Sequence, residues 1–373
     1  MSTPFLGILE IERLQRNNQG RSHGFVRTIS LGLNPTKGDI FVPSGLIGKH
    51  GLREGVTVSG TASNSGKKNL EAKSIDAVNG LSPTAWASVK EFSTHEAVSP
   101  NELIKLEGPS SDRAMRVIDL FCPLGKGQRA LIVSPPKAGK TILLQQIAHA
   151  INANYPEMEL IVLLIDERPE EVTDIRRSIA GEVFASSNDN DLTSHVRLAR
   201  LVPEYAKRKV ETGKDVVLLL DSLTRIGRAF NAHQKASGRT MSGGVDIRAL
   251  EVPKRIFGAA RKLEGSGSLT IIATVLIETN SRMDELIFQE FKGTGNMELV
   301  LDRDLANERL FPAINLSMSG TRREELLFGT ELDKYQSLRR TLVKLKPRDA
   351  ANGILKLISR YDTNAKLLAS IRM

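Results

Sequence analysis

Apolar and polar positions follow two different patterns along the chain, and the change falls near residue 111. Beyond it, short apolar runs alternate with stretches whose apolar residues recur with helical spacing. The runs cover residues 130–133, 160–165, 216–220 and 269–274, with a later one near 297–301. All but the last are continuously apolar, which is typical of parallel strands covered by helices on both faces. This part is therefore predicted to form a mostly parallel α/β sheet.

The first eighty residues instead show five short strand patterns separated by Asn-, Gly- and Pro-rich turns. These patterns cover residues 6–11, 24–27, 39–42, 56–60 and 70–75. So many short strands in so little chain predict a small closed barrel of the OB type. Residues 81–110 lack strong periodicity and contain several Ser-Pro and Gly-Pro breaks. We interpret them as a connector, with a possible strand around Ala87–Val89.

A strand, a tight loop and a helix beginning at Gly-Lys-Thr form the arrangement that binds phosphate. The loop consists of Ser134, Pro135, Pro136, Lys137, Ala138, Gly139, Lys140 and Thr141. Lys140 is expected to reach the terminal phosphates of a nucleotide, and the Thr141 hydroxyl to hold Mg²⁺. Lys137 adds a second positive charge. Ser134 departs from the usual pattern because the first position of such loops is commonly Gly.

Carboxylates follow the next two predicted strands, at the sheet edge where ligands of such folds bind. Glu167 is the candidate that polarises a water for attack on the γ-phosphate. Glu170 and Glu171 stay open as alternatives, although acidic residues are common in the first turn of a helix. Asp221 ends an apolar run, as in a Walker B motif, and is predicted to hold Mg²⁺. ATP and Mg²⁺ are therefore the expected cofactors.

Transition-state charge on a γ-phosphate commonly needs a further cation, which a neighbouring subunit can supply. Arg309 and Arg322 are candidates, and a solvated surface position is the alternative for each. Two Gly/Ser-rich segments, residues 234–244 and 278–284, carry Arg239 and Arg282 near their centres. In a ring they are predicted to hold a phosphate backbone; otherwise they are plain surface loops.

Net charge favours a polyanionic partner, since the chain carries +9 and has a pI of about 9.6. Phe25 and Phe41, with Arg27 nearby, are either stacking platforms for unpaired bases or members of the barrel core. The single cysteine, Cys122, fits a reducing cytosol. No apolar run is long enough to span a bilayer, so a cytoplasmic protein without membrane contact is expected.

Taken together, these motifs resemble the bacterial transcription termination factor Rho family, densely from about Asp119 to about Leu327. The matching segments are residues 134–141, 164–173, 219–225, 242–246, 257–261, 290–299 and 319–322. The runs Pro-Pro-Lys-Ala-Gly-Lys-Thr and Asp-Glu-Arg-Pro-Glu-Glu-Val are far more specific than a generic nucleotide motif.

This resemblance implies a RecA-like ATPase domain that works as a homohexamer with ATP between subunits. It implies that Glu167 is the catalytic carboxylate and that Asp221 is the Walker B acid. It places Arg168 and Arg225 in the nucleotide pocket, with Arg322 as the arginine finger and Arg309 as a second interface arginine. It places RNA on Phe25, Arg27, Phe41, Arg239, Thr240 and Arg282. Single-stranded RNA and the RNA polymerase elongation complex are the partners it implies.

The fold we expect is therefore a small OB- or cold-shock-like β-barrel followed by a RecA-like P-loop ATPase domain. The boundaries are residues 1–80 for the barrel, 81–110 for the connector and 111–373 for the ATPase domain. The barrel departs from the family at three points. A preceding helical subdomain is expected to be missing, His23 stands where the family has an aromatic residue, and residues 67–70 stand where it has a carboxylate and a Tyr that read cytosine. Loss of pyrimidine selectivity is expected.

Three functional hypotheses follow. The first is an ATP-driven 5′→3′ RNA translocase and helicase that terminates transcription. The second is an RNA-binding regulator of the same family without termination activity of its own. The third is another RecA-like motor, such as a rotary ATP synthase subunit or a DNA recombinase. The barrel and the loop sequences argue against the third.

Overall fold

The computed structural model describes residues 2–13, 22–66, 68–108, 112–233, 244–246 and 248–371. Its strands are β1 Thr3–Arg13, β2 Ser22–Arg27, β3 Ile40–Val42, β4 Thr57–Ser63, β5 Glu71–Val78, β6 Ala97–Val98, β7 Leu103–Ile104, β8 Leu124–Gly125, β9 Arg129–Ser134, β10 Glu159–Glu167, β11 Glu182–Ser187, β12 Asp215–Asp221, β13 Arg261–Leu263, β14 Ser268–Leu276, β15 Met297–Val300 and β16 Gly320–Thr321. Its helices are α1 Ser44–Lys49, α2 Pro83–Trp86, α3 Arg113–Phe121, α4 Lys140–Asn154, α5 Pro169–Ser178, α6 Leu192–Glu211, α7 Leu223–His233, α8 Glu251–Gly258, α9 Arg282–Lys292, α10 Arg303–Asn307, α11 Glu325–Phe328, α12 Leu332–Leu342, α13 Pro347–Arg360 and α14 Asn364–Ala369. Short 3-10 turns lie at Ile29–Leu31, Phe92–Thr94 and Gly329–Glu331.

The first five strands form the predicted barrel, closed in the order β1-β2-β3-β5-β4. Alternate residues of β4 are buried, as expected when one strand face points into a barrel and the other faces out. The interior is filled by small and branched residues such as Leu9, Val42 and Val58. Trp86 of α2 packs against them, and its indole Nε1 donates to the carbonyl of Gly51 at 3.2 Å.

The predicted α/β sheet is also present, with the order β11-β10-β12-β14-β9-β15-β16. The pairs among β11, β10, β12, β14, β9 and β15 are parallel, and β16 returns antiparallel to β15. Because parallel strands end at the same edge, the carboxyl ends of β9, β10 and β12 converge. Two large buried clusters cover the faces of this sheet, as the continuous apolar runs predicted.

Residues 81–108 contain more regular structure than the connector that the sequence predicted. The strand expected around Ala87–Val89 is wrong, because α2 precedes these residues and a turn continues through them. Ser82 caps α2 by accepting from the amide of Ala85 at 3.2 Å, and Pro83 occupies its first turn. Further along, β6 pairs with β13 and β7 pairs with β8, so this stretch is attached to the ATPase part of the fold.

Candidate nucleotide and RNA sites

The phosphate loop connects β9 to α4, as the sequence predicted. The backbone turns sharply at Lys137 and Gly139, whose φ angles are 66° and 91°. Glycine adopts such a conformation at little cost, so it suits the residue directly before the helix. The amides of the first turn of α4 have no partner within the helix, and the helix dipole adds partial positive charge. Thr141 stands in this turn, and Ser134 is buried at the strand end.

Lys140 lies between the two carboxylates that the sequence singled out. Its Nζ contacts both oxygens of Asp221, at 2.5 and 2.6 Å, and Oε1 of Glu167 at 3.4 Å. Burial by itself would lower the pKa of Lys140, but Asp221 and Glu167 outweigh burial and raise it. The cation therefore holds the two acids together at the edge of the sheet.

Glu167 is directed into the site by an irregularity in its strand. The register between β10 and β11 shifts between Ile165 and Glu167, and Asp166 has a φ of 58°. Arg225 of α7 donates to Oε2 of Glu167 at 3.1 Å and also to the carbonyl of Asp166. Burial and the neighbouring Asp221 raise the pKa of Glu167 to about 7, against the opposing effect of Lys140. A carboxylate poised near neutrality suits proton transfer from water.

Thr274 is a part of this site that the sequence analysis missed as a functional residue. Its hydroxyl donates to Oδ1 of Asp221 at 2.7 Å, and both side chains are buried. The sequence showed only that Thr274 ends a run whose other residues, apart from Thr270, are apolar. The peptide bond between Asp221 and Ser222 is cis. Thr274 fixes the orientation of the carboxylate that would face a metal ion.

An apolar cavity of about 160 Å³ adjoins the phosphate loop and was also missed. It is lined by residues that include Ala138, Gly139, Leu143, Phe311 and Pro312. Phe311 is 45% exposed, although aromatic residues are usually more buried. Sequence alone offered only the Leu-Phe-Pro run after Arg309, which has no strand or helix context.

Three of the other predicted basic residues, Lys137, Arg168 and Arg309, are exposed. Lys137 is exposed in the loop, and Arg168 is exposed at the start of α5. Glu170 and Glu171 stand in the first turn of that helix. Arg309 is exposed on the segment that leads to Phe311.

Arg322 lies at the other end of the sheet from the phosphate loop. It follows β16, and its amide donates to the carbonyl of Asn296 at 2.9 Å, beside the start of β15. The start of β15 pairs with Ala130, near the first residue of β9, whereas the loop follows the last. A strand rises about 3.3 Å per residue, so the ends of β9 are roughly 16 Å apart. The site residues of one chain therefore do not include its own Arg322.

On the barrel, Phe25 and Phe41 are partly exposed, whereas Val26 and Val42 beside them are buried. The core alternative for both phenylalanines is thus wrong. Phe25, Phe41 and His23 form a cluster, with ring centroids 5.4–5.8 Å apart. We call these three residues the aromatic patch. Sequence reasoning treated His23 only as a departure from the family.

Arg27 lies beneath this patch and is not an exposed cation. Its guanidinium is 5.0 Å from the Phe25 ring centroid, and the residue is only 5% exposed. It forms ion pairs with Glu10 at 2.6 Å and with Asp39 at 2.5 Å. Phosphate contact by Arg27 would therefore compete with two buried carboxylates.

Residues 278–284 of the second predicted loop are all described, whereas most of the first loop lies outside the described residues. Arg239 and Thr240 lie outside the described residues. Arg282 is the exposed first residue of α9, and Ser281 caps this helix. The next turn is anchored by buried Asp284, which accepts from Arg228 Nε at 2.8 Å and from Thr279 at 2.6 Å. Arg282 thus stands on a firmly held helix start.

This combination of a converging Lys–Asp–Glu site and an OB-like barrel defines the class of RecA-like P-loop ATPases that carry an RNA-binding domain. Residues 114–321 match the nucleotide-binding domain of the ATP synthase alpha/beta family, and residues 7–84 match the RNA-binding domain of Rho termination factor. Two relatives named transcription termination factor Rho, of which this chain covers 84% and 85%, are each 48% identical to it, so the chain belongs to the transcription termination factor Rho family.

Relatives with that name cover nearly the whole chain. The protein from Cereibacter sphaeroides is 48% identical over 93% of this chain and 84% of its own length. The one from Pseudomonas aeruginosa is 48% identical over 94% and 85%. The one from Streptomyces lividans is 46% identical over 99% of this chain, which spans only 52% of that relative. These relationships favour the first two hypotheses over an ATP synthase subunit or a recombinase.

Solved structures confirm the fold. An ATPase from a type III secretion system of pathogenic bacteria aligns with a TM-score of 0.58 and 25% identity, over 66% of this chain and 70% of that one. The assembled ATPase EscN from enteropathogenic E. coli gives a TM-score of 0.59 and 23% identity, over 74% and 71%. Within the described part of the chain, every helix is too short or too polar to span a membrane.

Proposed function

We propose that this chain is an ATP-driven RNA translocase that moves 5′→3′ along nascent RNA and terminates transcription. It would work in the cytoplasm as a homohexameric ring, with the RNA polymerase elongation complex as its target. Residues 1–80 would bind RNA and residues 111–373 would form the motor. Residues 81–110 would connect these two domains. The observation that carries the proposal is the Lys140, Asp221 and Glu167 cluster at the strand ends, joined in one chain to a partly exposed aromatic patch.

ATP would bind with its phosphates on residues 134–141 and its base in the apolar cavity beside Phe311. An aromatic ring and aliphatic side chains suit a purine, and the cavity adjoins the phosphate loop. Lys137 and Lys140 would neutralise phosphate charge, with Arg168 near the same pocket. Lys140 would then exchange its carboxylate partners for phosphate oxygens.

Mg²⁺ fits the donor set of this site. Thr141 offers a hydroxyl and Asp221 a buried carboxylate, the oxygen ligands that Mg²⁺ prefers. When bound, Mg²⁺ supplies charge stabilisation to the phosphates. Thr274 would keep Asp221 oriented whether or not Lys140 stays paired with it.

Glu167 would accept a proton from the attacking water, and Arg225 would hold that carboxylate in place. Arg322, and with it Arg309, would stabilise transition-state charge at a neighbouring subunit's site. The separation of Arg322 from its own phosphate loop supports a role across an interface. Such a role requires a closed ring in which every chain gives and receives an arginine.

RNA would enter on the aromatic patch, where bases stack, and would be held in the pore by Arg239, Thr240 and Arg282. Arg27 would act from beneath Phe25. The test is ATP hydrolysis by the purified chain with and without single-stranded RNA homopolymers, followed by transcript release from stalled elongation complexes. RNA-dependent hydrolysis and release are expected. A hydrolysis rate that does not change when RNA is added would overturn the proposal. RNA-dependent hydrolysis without transcript release would instead support the RNA-binding regulator without termination activity of its own.

A further inference from the structure

The barrel meets the ATPase domain along one side of α6, at four levels of that helix. Arg197 Nη1 donates to Oε2 of Glu10 in β1 at 3.1 Å. Gly55 packs against the backbone of Glu204 and Tyr205. Asn79 Nδ2 donates to the carbonyl of Arg208, and Arg53 Nη2 to Glu211, both at 2.9 Å. A displacement of the barrel would therefore act directly on α6 through these contacts.

The carboxylate in the first of these contacts also binds Arg27, which lies beneath the aromatic patch. Glu10 accepts from Arg27 Nε at 2.6 Å and from Arg197 at 3.1 Å. Arg27 lies under the ring of Phe25. Glu10 is 8% exposed, so the two cations compete for one anion in a poorly solvated place, where electrostatic interactions are strong. Within the described part of the chain, Nη2 of Arg197 is buried without a hydrogen-bond partner.

The same end of α6 contacts the strands of the catalytic site. His195 Nδ1 and the hydroxyl of Ser186 in β11 are 2.7 Å apart, and both side chains are buried. The next residue, Ser187, pairs with Glu167 across β10 and β11. The amide of Asn188 donates to the carbonyl of Glu167 at 3.0 Å. Arg197, which contacts Glu10, is thus two positions from His195, which contacts the strand residue before the partner of the predicted catalytic carboxylate.

We propose that Arg197 is a positioning residue that couples RNA on the aromatic patch to the nucleotide site through the shared carboxylate of Glu10. RNA bound at Phe25 draws Arg27 toward a phosphate or base acceptor. The Glu10 carboxylate then pairs with Arg197 alone, and this stronger ion pair holds the start of α6 more firmly against β11. The idea rests on the proposed function, since it assumes that the barrel binds RNA and the other site binds ATP.

Coupling between two binding sites is reciprocal, so nucleotide must change RNA affinity by the same factor as RNA changes nucleotide affinity. This permits an equilibrium test on the full chain that does not depend on catalytic turnover. The probe is a fluorescent cytidine decamer, with its dissociation constant measured with and without saturating AMP-PNP and Mg²⁺. Phe25→Ala identifies the part of the signal that belongs to the barrel.

For the unmodified chain we expect AMP-PNP to tighten decamer binding about fivefold. Arg197→Met should reduce this ratio to near one, while Arg197→Lys, which keeps the charge, should restore most of it. Arg200→Met is the matched control, because Arg200 is an exposed arginine one turn further along α6. It should leave the ratio unchanged. Thermal unfolding of each variant confirms that the fold is intact.

A ratio near one in the unmodified chain, or a full ratio in Arg197→Met, would overturn the coupling role. So would an equal loss in Arg200→Met, since this would indicate a general disturbance of α6. These outcomes differ from failure of the proposed function, in which the decamer does not bind or RNA does not stimulate hydrolysis in the unmodified chain.

Discussion

Lys140 holds two carboxylates that would otherwise repel each other at one sheet edge. Its removal therefore acts twice, because the phosphates lose a cation and Asp221 and Glu167 lose their common partner. The charge of Glu167 has a separate role, since Arg225 holds its second oxygen. These two residues allow the binding of nucleotide to be separated from its hydrolysis.

We expect Glu167→Gln to lower RNA-stimulated ATP hydrolysis by at least about 100-fold, because a general base contributes that much or more. Binding of a fluorescent ATP analogue should persist. Lys140→Ala should lose both hydrolysis and tight binding. Phosphate release and analogue titration measure the two effects, with Lys366→Ala, an exposed lysine paired with Asp362, as control. Near-normal turnover in Glu167→Gln would assign the base elsewhere.

Asp119 is a buried acid of α3 and is not one of the site residues. It accepts from the amides of Leu106 and Glu107 at 2.8–3.1 Å and is 6% exposed. Burial raises the pKa of Asp119 to about 7 despite these hydrogen bonds. The folded state therefore holds a proton that the unfolded state releases above about pH 4. Its stabilising contribution is present at low pH and is lost as the pH rises through about 7.

We expect the free energy of unfolding to fall by about 2 kcal/mol more in the unmodified chain than in Asp119→Asn between about pH 5.5 and about pH 8. Urea denaturation at the two pH values measures the difference. Groups that do not interact with Asp119 contribute equally to both proteins, so the comparison reports on Asp119 and its charged neighbours Glu107 and Lys105. Equal pH dependence in the two would show that this carboxyl is ionised in the folded state.

At the scale of elements, α6 is the helix on which the barrel rests, and Gly55 permits the close approach. Its φ is 85°, and a Cβ there would lie 2.5 Å from the amide nitrogen of Tyr205 and 2.6 Å from the carbonyl carbon of Glu204. Both opposing atoms belong to the helix backbone, which does not yield easily. The neighbouring ion pair between Arg53 and Glu211 depends on the same spacing.

We expect Gly55→Ala to cost more than Gly80→Ala by at least about 1 kcal/mol of unfolding free energy. Gly80 is the matched control because its φ is 77° and nothing lies within 4 Å of its added Cβ. Chemical denaturation measures both. Equal losses would show that the barrel moves away from α6 without penalty.

At the scale of the whole molecule, the position of Arg322 predicts that each nucleotide site is completed by the Arg322 of a neighbouring subunit. Mixing two inactive variants tests this prediction. We expect Arg322→Ala and Lys140→Ala to be inactive as separate preparations. Mixed before assembly, they should recover part of the RNA-stimulated hydrolysis, since some interfaces then pair an intact phosphate loop with an intact Arg322. Phosphate release from the mixture measures this. A mixture as inactive as its components would argue that each site is completed within one chain.

Local pattern was sufficient to predict the barrel strands, the parallel sheet and the phosphate loop. Apolar periodicity reports burial on one or both faces, and Gly-Lys-Thr between a strand and a helix is a contiguous signal. Glu167 and Asp221 were also found from sequence, because each directly follows an apolar strand and parallel strands end together. The error at Ala87–Val89 arose where Ser82 and Pro83 start a short helix that propensity alone did not indicate.

Other features depended on contacts between residues far apart in sequence. Thr274 touches Asp221 only because β14 lies beside β12, and Arg322 is separated from its own loop only because β16 runs antiparallel to β15. Arg27 is an apparent surface cation that the fold buries between Glu10 and Asp39. Strand order and barrel closure decide such neighbours. The pattern along the sequence indicates which residues are buried, but it does not identify the group that each residue contacts in the folded protein.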